Sequence, residues 1–255
     1  VDTKGFALSL GVGYGLDVSP GRLTVGAFVE YGDGDYDTYN SFDGIGNVEG
    51  SGDTTYFGGG LLARLEFSGS PTGAFYAEAS ARAGQVKNEF RSADLLDPLG
   101  GPTGYDARTP YYGAHLGLGY KLNVGAAGAL DIHGKYLWNR VSADETTLTS
   151  GERVRFAAVD SHRVRAGVRY THSINDHAAP FVGAAFEHEF DGKSTASSNG
   201  FDLPSPKMRG STGVGELGLK ITPSPGGPVS AEIGVQGYAG KRQGVTGSAV
   251  LKIEF

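Results

Sequence analysis

Apolar and polar residues alternate with a period of two along nearly the whole chain. In FALSLGVGYGL, residues 6 to 16, one face of an extended strand carries Phe6, Leu8, Leu10, Val12, Tyr14 and Leu16. The other carries Ala7, Ser9, Gly11, Gly13 and Gly15, so one face is greasy and the other small or polar. The division recurs at 75 to 84, where Phe75, Ala77, Ala79, Ala81 and Ala83 oppose Tyr76, Glu78, Ser80, Arg82 and Gly84. It recurs again at 111 to 122. The template predicts eleven strands at roughly 4–17, 22–35, 53–68, 73–89, 109–122, 128–141, 157–173, 179–190, 207–222, 228–240 and 243–255. It leaves almost no room for helix.

The connections alternate in length. SPG at 19–21, GSPT at 69–72, NVGAAG at 123–128, IND at 174–176 and PSPGG at 223–227 are tight turns built from Gly, Pro, Asn and Asp. Between them lie longer polar stretches at 36–52, 90–108, 142–156 and 191–206, expected to be loops. Strands of a dozen residues or more, with short turns at one end and long loops at the other, predict an all-β fold: a transmembrane antiparallel up-and-down β-barrel. Closure of such a sheet pairs every amide that would otherwise face lipid. The greasy set then faces lipid and the polar set faces a lumen. That lumen carries charges of both signs, from Glu30, Arg64, Glu66, Glu78, Arg82, Asp131, Lys135, Arg163, Arg165, Arg169, Glu187, Glu216, Lys220, Glu232, Lys252 and Glu254. Aromatics near strand ends, Tyr14, Tyr31, Phe67, Tyr120, Trp138, Tyr170, Phe190 and Phe255, suit an interfacial girdle, with His162, His172 and His188 at the same boundary. A soluble sandwich or lipocalin-like barrel also alternates, but with its apolar face inward and shorter strands.

Composition supports this picture. The 43 glycines in 255 residues follow no collagen period and are mixed with 13 Tyr and 13 Phe, which argues against disorder. The chain has no cysteine, which excludes disulfides and thiolate metal sites and suits an oxidising compartment. A net charge of -6 argues against nucleic acid as a partner. No apolar run is long enough for a membrane-spanning helix.

Candidate chemistry is sparse. Asp160, Ser161 and His162 are adjacent strand residues that point to opposite faces, so they cannot converge as a triad. DGKST at 191–195 has Glu187 where a phosphate loop needs glycine. Gly11, Gly13 and Gly15 lie within a strand rather than at a strand-to-helix turn, and read as small lumen residues. The six histidines are dispersed, and neither a metal nor a cofactor is expected. The row Arg163, Arg165 and Arg169 concentrates charge in the lumen, where carboxylates such as Glu187 or Glu189 on a neighbouring strand can pair with it.

The stretches SHRVRAGVRYTHSINDHAAPFVGAAFEHEFDGKS at 161–194 and GSTGVGELGLKITPSPGGPVSAEIGVQGYAGKRQGVTGSAVLKIEF at 210–255 closely resemble the C-terminal half of autotransporter translocator domains. TVGAFVEYGDGDYDTYNSF at 24–42 and FGGGLLARLEF at 57–67 extend the resemblance over nearly the whole chain. The resemblance implies a single domain over 1–255 in the bacterial outer membrane, monomeric, with membrane lipid, its own passenger and linker helix, and the barrel assembly machinery as partners. It implies a translocator that anchors and supports secretion of an N-terminal passenger, and not an enzyme. A small porin-like channel, or an adhesin or enzyme working through the long loops, is the alternative. The family pattern has twelve strands, with a pore helix leading from the passenger. Eleven readable strands therefore place the first strand, the linker helix and the passenger upstream of residue 1. By the same resemblance, Leu251, Ile253 and the final Phe255 form the signal read by the assembly machinery. From the residues themselves, Arg163, Arg165, Arg169, Glu187, Glu216 and Glu232 are expected to form a charged wall that contacts the linker. Some members cleave their passenger using lumen carboxylates, for which Glu78, Glu216 and Glu232 are the residues to consider here.

Overall fold

The structure is a computed structural model describing residues 2–42, 46–203 and 206–254. The described residues form fifteen strands and no helix. In chain order these are β1 (Asp2–Val18), β2 (Gly21–Phe42), β3 (Gly46–Phe67), β4 (Gly73–Leu96), β5 (Pro102–Val124), β6 (Gly128–Val141), β7 (Asp144–Thr147) and β8 (Arg153–Phe156). They continue with β9 (Val159–His172), β10 (Ala178–Glu189), β11 (Ala196–Ser198), β12 (Phe201–Asp202), β13 (Gly210–Ile221), β14 (Val229–Gly240) and β15 (Gly244–Ile253). Eleven of them make one antiparallel sheet in the order β1-β2-β3-β4-β5-β6-β9-β10-β13-β14-β15, each strand beside the next member in sequence. The eleven strands expected from the alternation are these eleven.

The sheet curls. Tyr111 on β5 reaches Glu30 on β2, three strands away, and the inner faces of β2 through β14 line one cavity. Strand tilt and twist bring the ladder round in this way. Among the described residues no ladder joins β1 to β15, and both of these edge strands are exposed on both faces.

The fold is inverted relative to a water-soluble protein. Among the described residues the buried apolar side chains are only Tyr76, Ala107, Val154, Phe181 and Val214, whereas Leu8, Leu61, Phe75, Leu118, Leu217 and Leu251 stand at least three-fifths exposed on the outside. An apolar belt of this extent is incompatible with water and matches the acyl region of a bilayer. Tyr14, Tyr31, Phe67, Tyr170 and Phe190 lie on this outward face, as expected. His162 and His172 bond there to Tyr136 and Tyr170, while His188 packs edge-on against Phe190.

Two of the expected loops are mostly strand. β2 and β3 run for 22 residues each, β4 for 24 and β5 for 23, through most of 36–52 and 90–108. Alternation persists there beneath the polar composition, and aromatics hold it together. Phe90 stacks on Tyr105 at 5.7 Å, Tyr105 meets Phe156 at 5.4 Å, and the Tyr36 hydroxyl donates to the carbonyl of Glu89. The stretches 142–156 and 191–206 supply a second sheet in the order β12-β11-β8-β7. Its anchor is a reciprocal pair in which the Gly104 amide donates to Thr149 Oγ1 and the Thr149 amide to the carbonyl of Gly104. One end of the barrel is thus raised into a wall while the other closes in short turns, which makes the raised end extracellular.

The inverted polarity gives a direct test. Leu61→Arg puts a cation on the lipid face of the membrane-crossing half of β3 and costs about 2–4 kcal/mol. Ser9→Arg, on the lumen face of β1, changes stability by less than about 1 kcal/mol. Urea unfolding of the refolded barrel in lipid vesicles measures both; equal costs would contradict the assignment of faces.

Candidate functional site

The lumen is the site. Period-two alternation sends every second side chain of the eleven strands inward, and the resulting cavity of about 630 Å³ is lined by Arg64, Arg82, Lys135, Arg163, Arg165, Arg169 and Arg242 beside Asp131, Glu187 and Glu216. Cationic tips therefore outnumber the carboxylates at its surface. Most of the carboxylates lie deeper, against the strands, where cations and hydroxyls satisfy them.

One wall is built by β2 to β6. Glu30, only 5% exposed, accepts from Tyr111 Oη at 2.6 Å and from Arg82 at 3.0 Å, and Arg82 continues to Asn139 at 2.7 Å. Nearer the short turns, Glu78 takes Arg64 at 2.8 Å, Lys135 at 2.7 Å and His115 at 3.3 Å. Arg64 also lies over the Tyr76 ring at 4.0 Å, while Tyr76 Oη donates to Asp131 at 2.9 Å.

The facing wall carries the arginine row of β9. Arg169 clamps Glu216 through Nε at 2.7 Å and Nη2 at 3.1 Å, and reaches Glu232 through Nη1 at 2.9 Å. Gln236 adds a bond to Glu216 at 3.1 Å. Arg163 lies 3.5 Å from Glu187 and 3.3 Å from Glu189, and Arg242 also reaches Glu187, at 3.3 Å. Arg165 lies between them on the cavity surface and forms no hydrogen bond or ion pair among the described residues.

The aromatic beneath Arg169 explains how so crowded a wall packs. Phe181 lies flat against it, 4.3 Å from the guanidinium, over Gly218 and Gly234 on the next two strands. A Cβ at Gly218 would stand 2.3 Å from the Phe181 ring. The missing side chains create the slot that the ring fills. Tyr111 occupies a similar slot over Gly58 and Gly84 on the opposite wall.

Sequence parity assigned Arg163, Arg165, Arg169, Glu187, Glu216 and Glu232 to the lumen, and they lie together on the inner faces of β9, β10, β13 and β14. Register then divides the row: Arg163 and Arg169 are consumed by neighbouring carboxylates and Arg165 is left over. Glu78 stands apart from Glu216 and Glu232, each group holding its own cations. Leu251 and Ile253 face outward on β15, 67% and 50% exposed, while Phe255 lies outside the described residues. Asp160 and His162 face outward while Ser161 turns in to Glu189, so no triad forms. Among the described residues no group of three or more His, Cys, Asp or Glu is arranged to hold a metal ion. Phe181, Tyr111 and Arg242 were not singled out from sequence. The parity of Phe181 with Gly183, Ala185 and Glu187 was the available signal.

A family model described as "Autotransporter beta-domain" matches residues 1–234. Among solved structures, the transport unit of the autotransporter AIDA-I from Escherichia coli matches with a TM-score of 0.82 at 19% identity, over 99% of this chain and 83% of that one. The beta domain of the Bordetella autotransporter BrkA matches at 0.69 and 19% identity, over 99% and 92%. The translocator domain of autotransporter NalP from Neisseria meningitidis matches at 0.59 and 12% identity, over 99% and 87%. At these identities the likeness concerns the fold. No curated protein matches the sequence.

Arg169→Met leaves Glu216 and Glu232 facing each other without their shared cation. The expected loss is about 1–3 kcal/mol, below that of a fully buried pair because water reaches this wall. Adding Glu216→Gln to that variant recovers part of the loss. A double-mutant cycle by urea unfolding measures the coupling, and additive effects would show that the clamp contributes nothing.

Proposed function

The chain belongs to the autotransporter beta-domain family, an outer-membrane barrel type that translocates passengers, and we propose that it anchors and supports secretion of a passenger carried N-terminal to its own first residue. The observation that carries this reading is the lumen: a charge-lined cavity in which one arginine, Arg165, has no hydrogen-bond or ion-pair partner among the described residues. An uncompensated guanidinium in a confined wall favours a carboxylate or backbone carbonyl brought by a guest. The guest we assign is the linker that joins passenger to barrel. It occupies the lumen after export, contacts Arg165 directly and touches the neutralised Arg163 and Arg169 only through packing.

The same wall favours a non-catalytic role. Glu216 is clamped by Arg169 and Gln236, Glu232 shares that arginine, and Glu78 is held by Arg64 and Lys135. A linker asparagine would have to displace these cations before a carboxylate could activate it. The chain works as a monomer, its folding assisted by the barrel assembly machinery through the strand that contains Leu251 and Ile253.

Single-channel conductance in planar bilayers tests the reading, comparing the barrel alone with the longer protein that keeps its upstream linker. The barrel alone is expected to conduct and the linker to close it. Arg165→Gln should weaken that closure about fivefold, equivalent to about 1 kcal/mol. Conductance indifferent to the linker would identify an open porin instead.

A further inference from the structure

On the extracellular rim above β10, β13 and β14, we infer a lipid-headgroup site: Lys193, Lys207, Arg209 and Lys241 together bind the phosphate of a phosphorylated lipid in the outer leaflet. Lys193 and Lys207 face each other across an antiparallel bridge. Two like charges directly opposed repel, so the arrangement calls for an anion between or beside them. All four side chains are exposed, and none forms an ion pair with a carboxylate among the described residues. Several other cations of the outer surface are matched: Arg140 with Asp160 at 2.8 Å, Arg91 with Asp106 at 3.3 Å and Arg155 with Glu145 at 2.7 Å.

The patch faces the bilayer rather than the lumen. Met208 lies over Gly192 on the side of Glu189, a lumen residue, so the adjacent bridge pair Lys193 and Lys207 points the other way. The Lys241 amide donates to the carbonyl of Ser211, and Ser211 Oγ bonds the outward-facing His188 at 2.8 Å. Directly below stand Phe190, which packs against His188 at 4.7 Å, and then Phe186 and Leu217 of the apolar belt. Cations one step above an aromatic girdle sit at headgroup depth, where several lysine ammonium groups and one guanidinium fork match the oxygens of a phosphate monoester.

The patch is local. On the far side of the rim, Asp33, Asp35, Asp37 and Asp53 gather on β2 and β3, where Asp35 beside it pushes the Asp53 carboxyl above the usual carboxylate range. That side repels phosphate, so headgroup binding is directed to β10–β14.

The test uses the folded protein in neutral detergent micelles, with bound lipid counted by native mass spectrometry during titration with phosphatidic acid or, in parallel, diacylglycerol. Phosphatidic acid should bind and diacylglycerol should not. The quadruple variant K193Q/K207Q/R209Q/K241Q should weaken binding about tenfold or more, and a control variant K4Q/K87Q, away from the patch, should not change it. Should the quadruple variant fail to refold, K193Q/K207Q alone is expected to weaken binding several-fold. Lipid retention by either patch variant equal to the parent's, or equal binding of diacylglycerol, would overturn the proposal. Complete displacement by millimolar inorganic phosphate would mark a small-anion site and overturn the lipid assignment.

Discussion

A peptide group inside a bilayer has no water to bond, and each one left unpaired costs several kcal/mol. Every other feature of this molecule follows from that constraint. Strands long enough to cross the membrane must lie beside one another in continuous ladders, and sequential antiparallel neighbours joined by tight turns are the simplest way for one chain to achieve it. The register from β1 to β15 is correspondingly unbroken through the membrane, with a single irregularity where β4 passes Ser92 toward Leu96, far above the belt. Once the backbone is committed to the ladders, period two sorts the side chains without further instruction. Within each strand, alternate residues face the two media.

That sorting leaves the lumen with an unusual packing problem. Its side chains cannot build an oil-like core, because a passage for a guest chain has to admit water. The wall is instead held by flat aromatics seated over glycines and by cations stacked on those aromatics. Phe181 under Arg169, Tyr76 under Arg64 and Tyr238 under Arg242 repeat this arrangement around the cavity. Phe181 covers Gly218 and Gly234 and Tyr76 covers Gly119, and each of the three guanidinium groups is turned toward a carboxylate. The apolar contact fixes the arm of the arginine, while the ion pair fixes its head.

How much of this was legible in the sequence depended on whether it was a matter of parity or of register. Parity is local, and it assigned Leu8, Phe75 and Leu217 to lipid and Arg163, Arg165, Arg169, Glu216 and Glu232 to the lumen. Register is not local. Whether Arg165 or Arg169 meets Glu216 depends on how β9, β10 and β13 slide past one another, which no single strand encodes. The aromatic slots were hidden for the same reason, since Gly218 and Gly234 acquire meaning only when Phe181 is known to lie across them. The extensions of β2 to β5 were misread for a different reason. Asp, Gly and Asn in GDGDYDTYN read as turn chemistry, but the alternation continues above the membrane, where Phe90 stacks on Tyr105 and Tyr36 bonds the Glu89 carbonyl.

The arginine row shows how the two requirements of such a wall can be met together. A lumen lined only by matched pairs would be stable but would offer a guest nothing to recognise, and one lined by unmatched charges would repel itself. Here β9 alternates the two solutions along one face. Arg163 and Arg169 are spent on Glu187, Glu189, Glu216 and Glu232, which ties β9 to β10, β13 and β14. Arg165, held between two neutralised neighbours, is left unpaired without loosening the sheet, because no strand-to-strand tie depends on it. The stability of the wall and the affinity of the lumen for a guest are therefore carried by different residues of the same row, so that a guest can bind or leave without loosening the ladders around it.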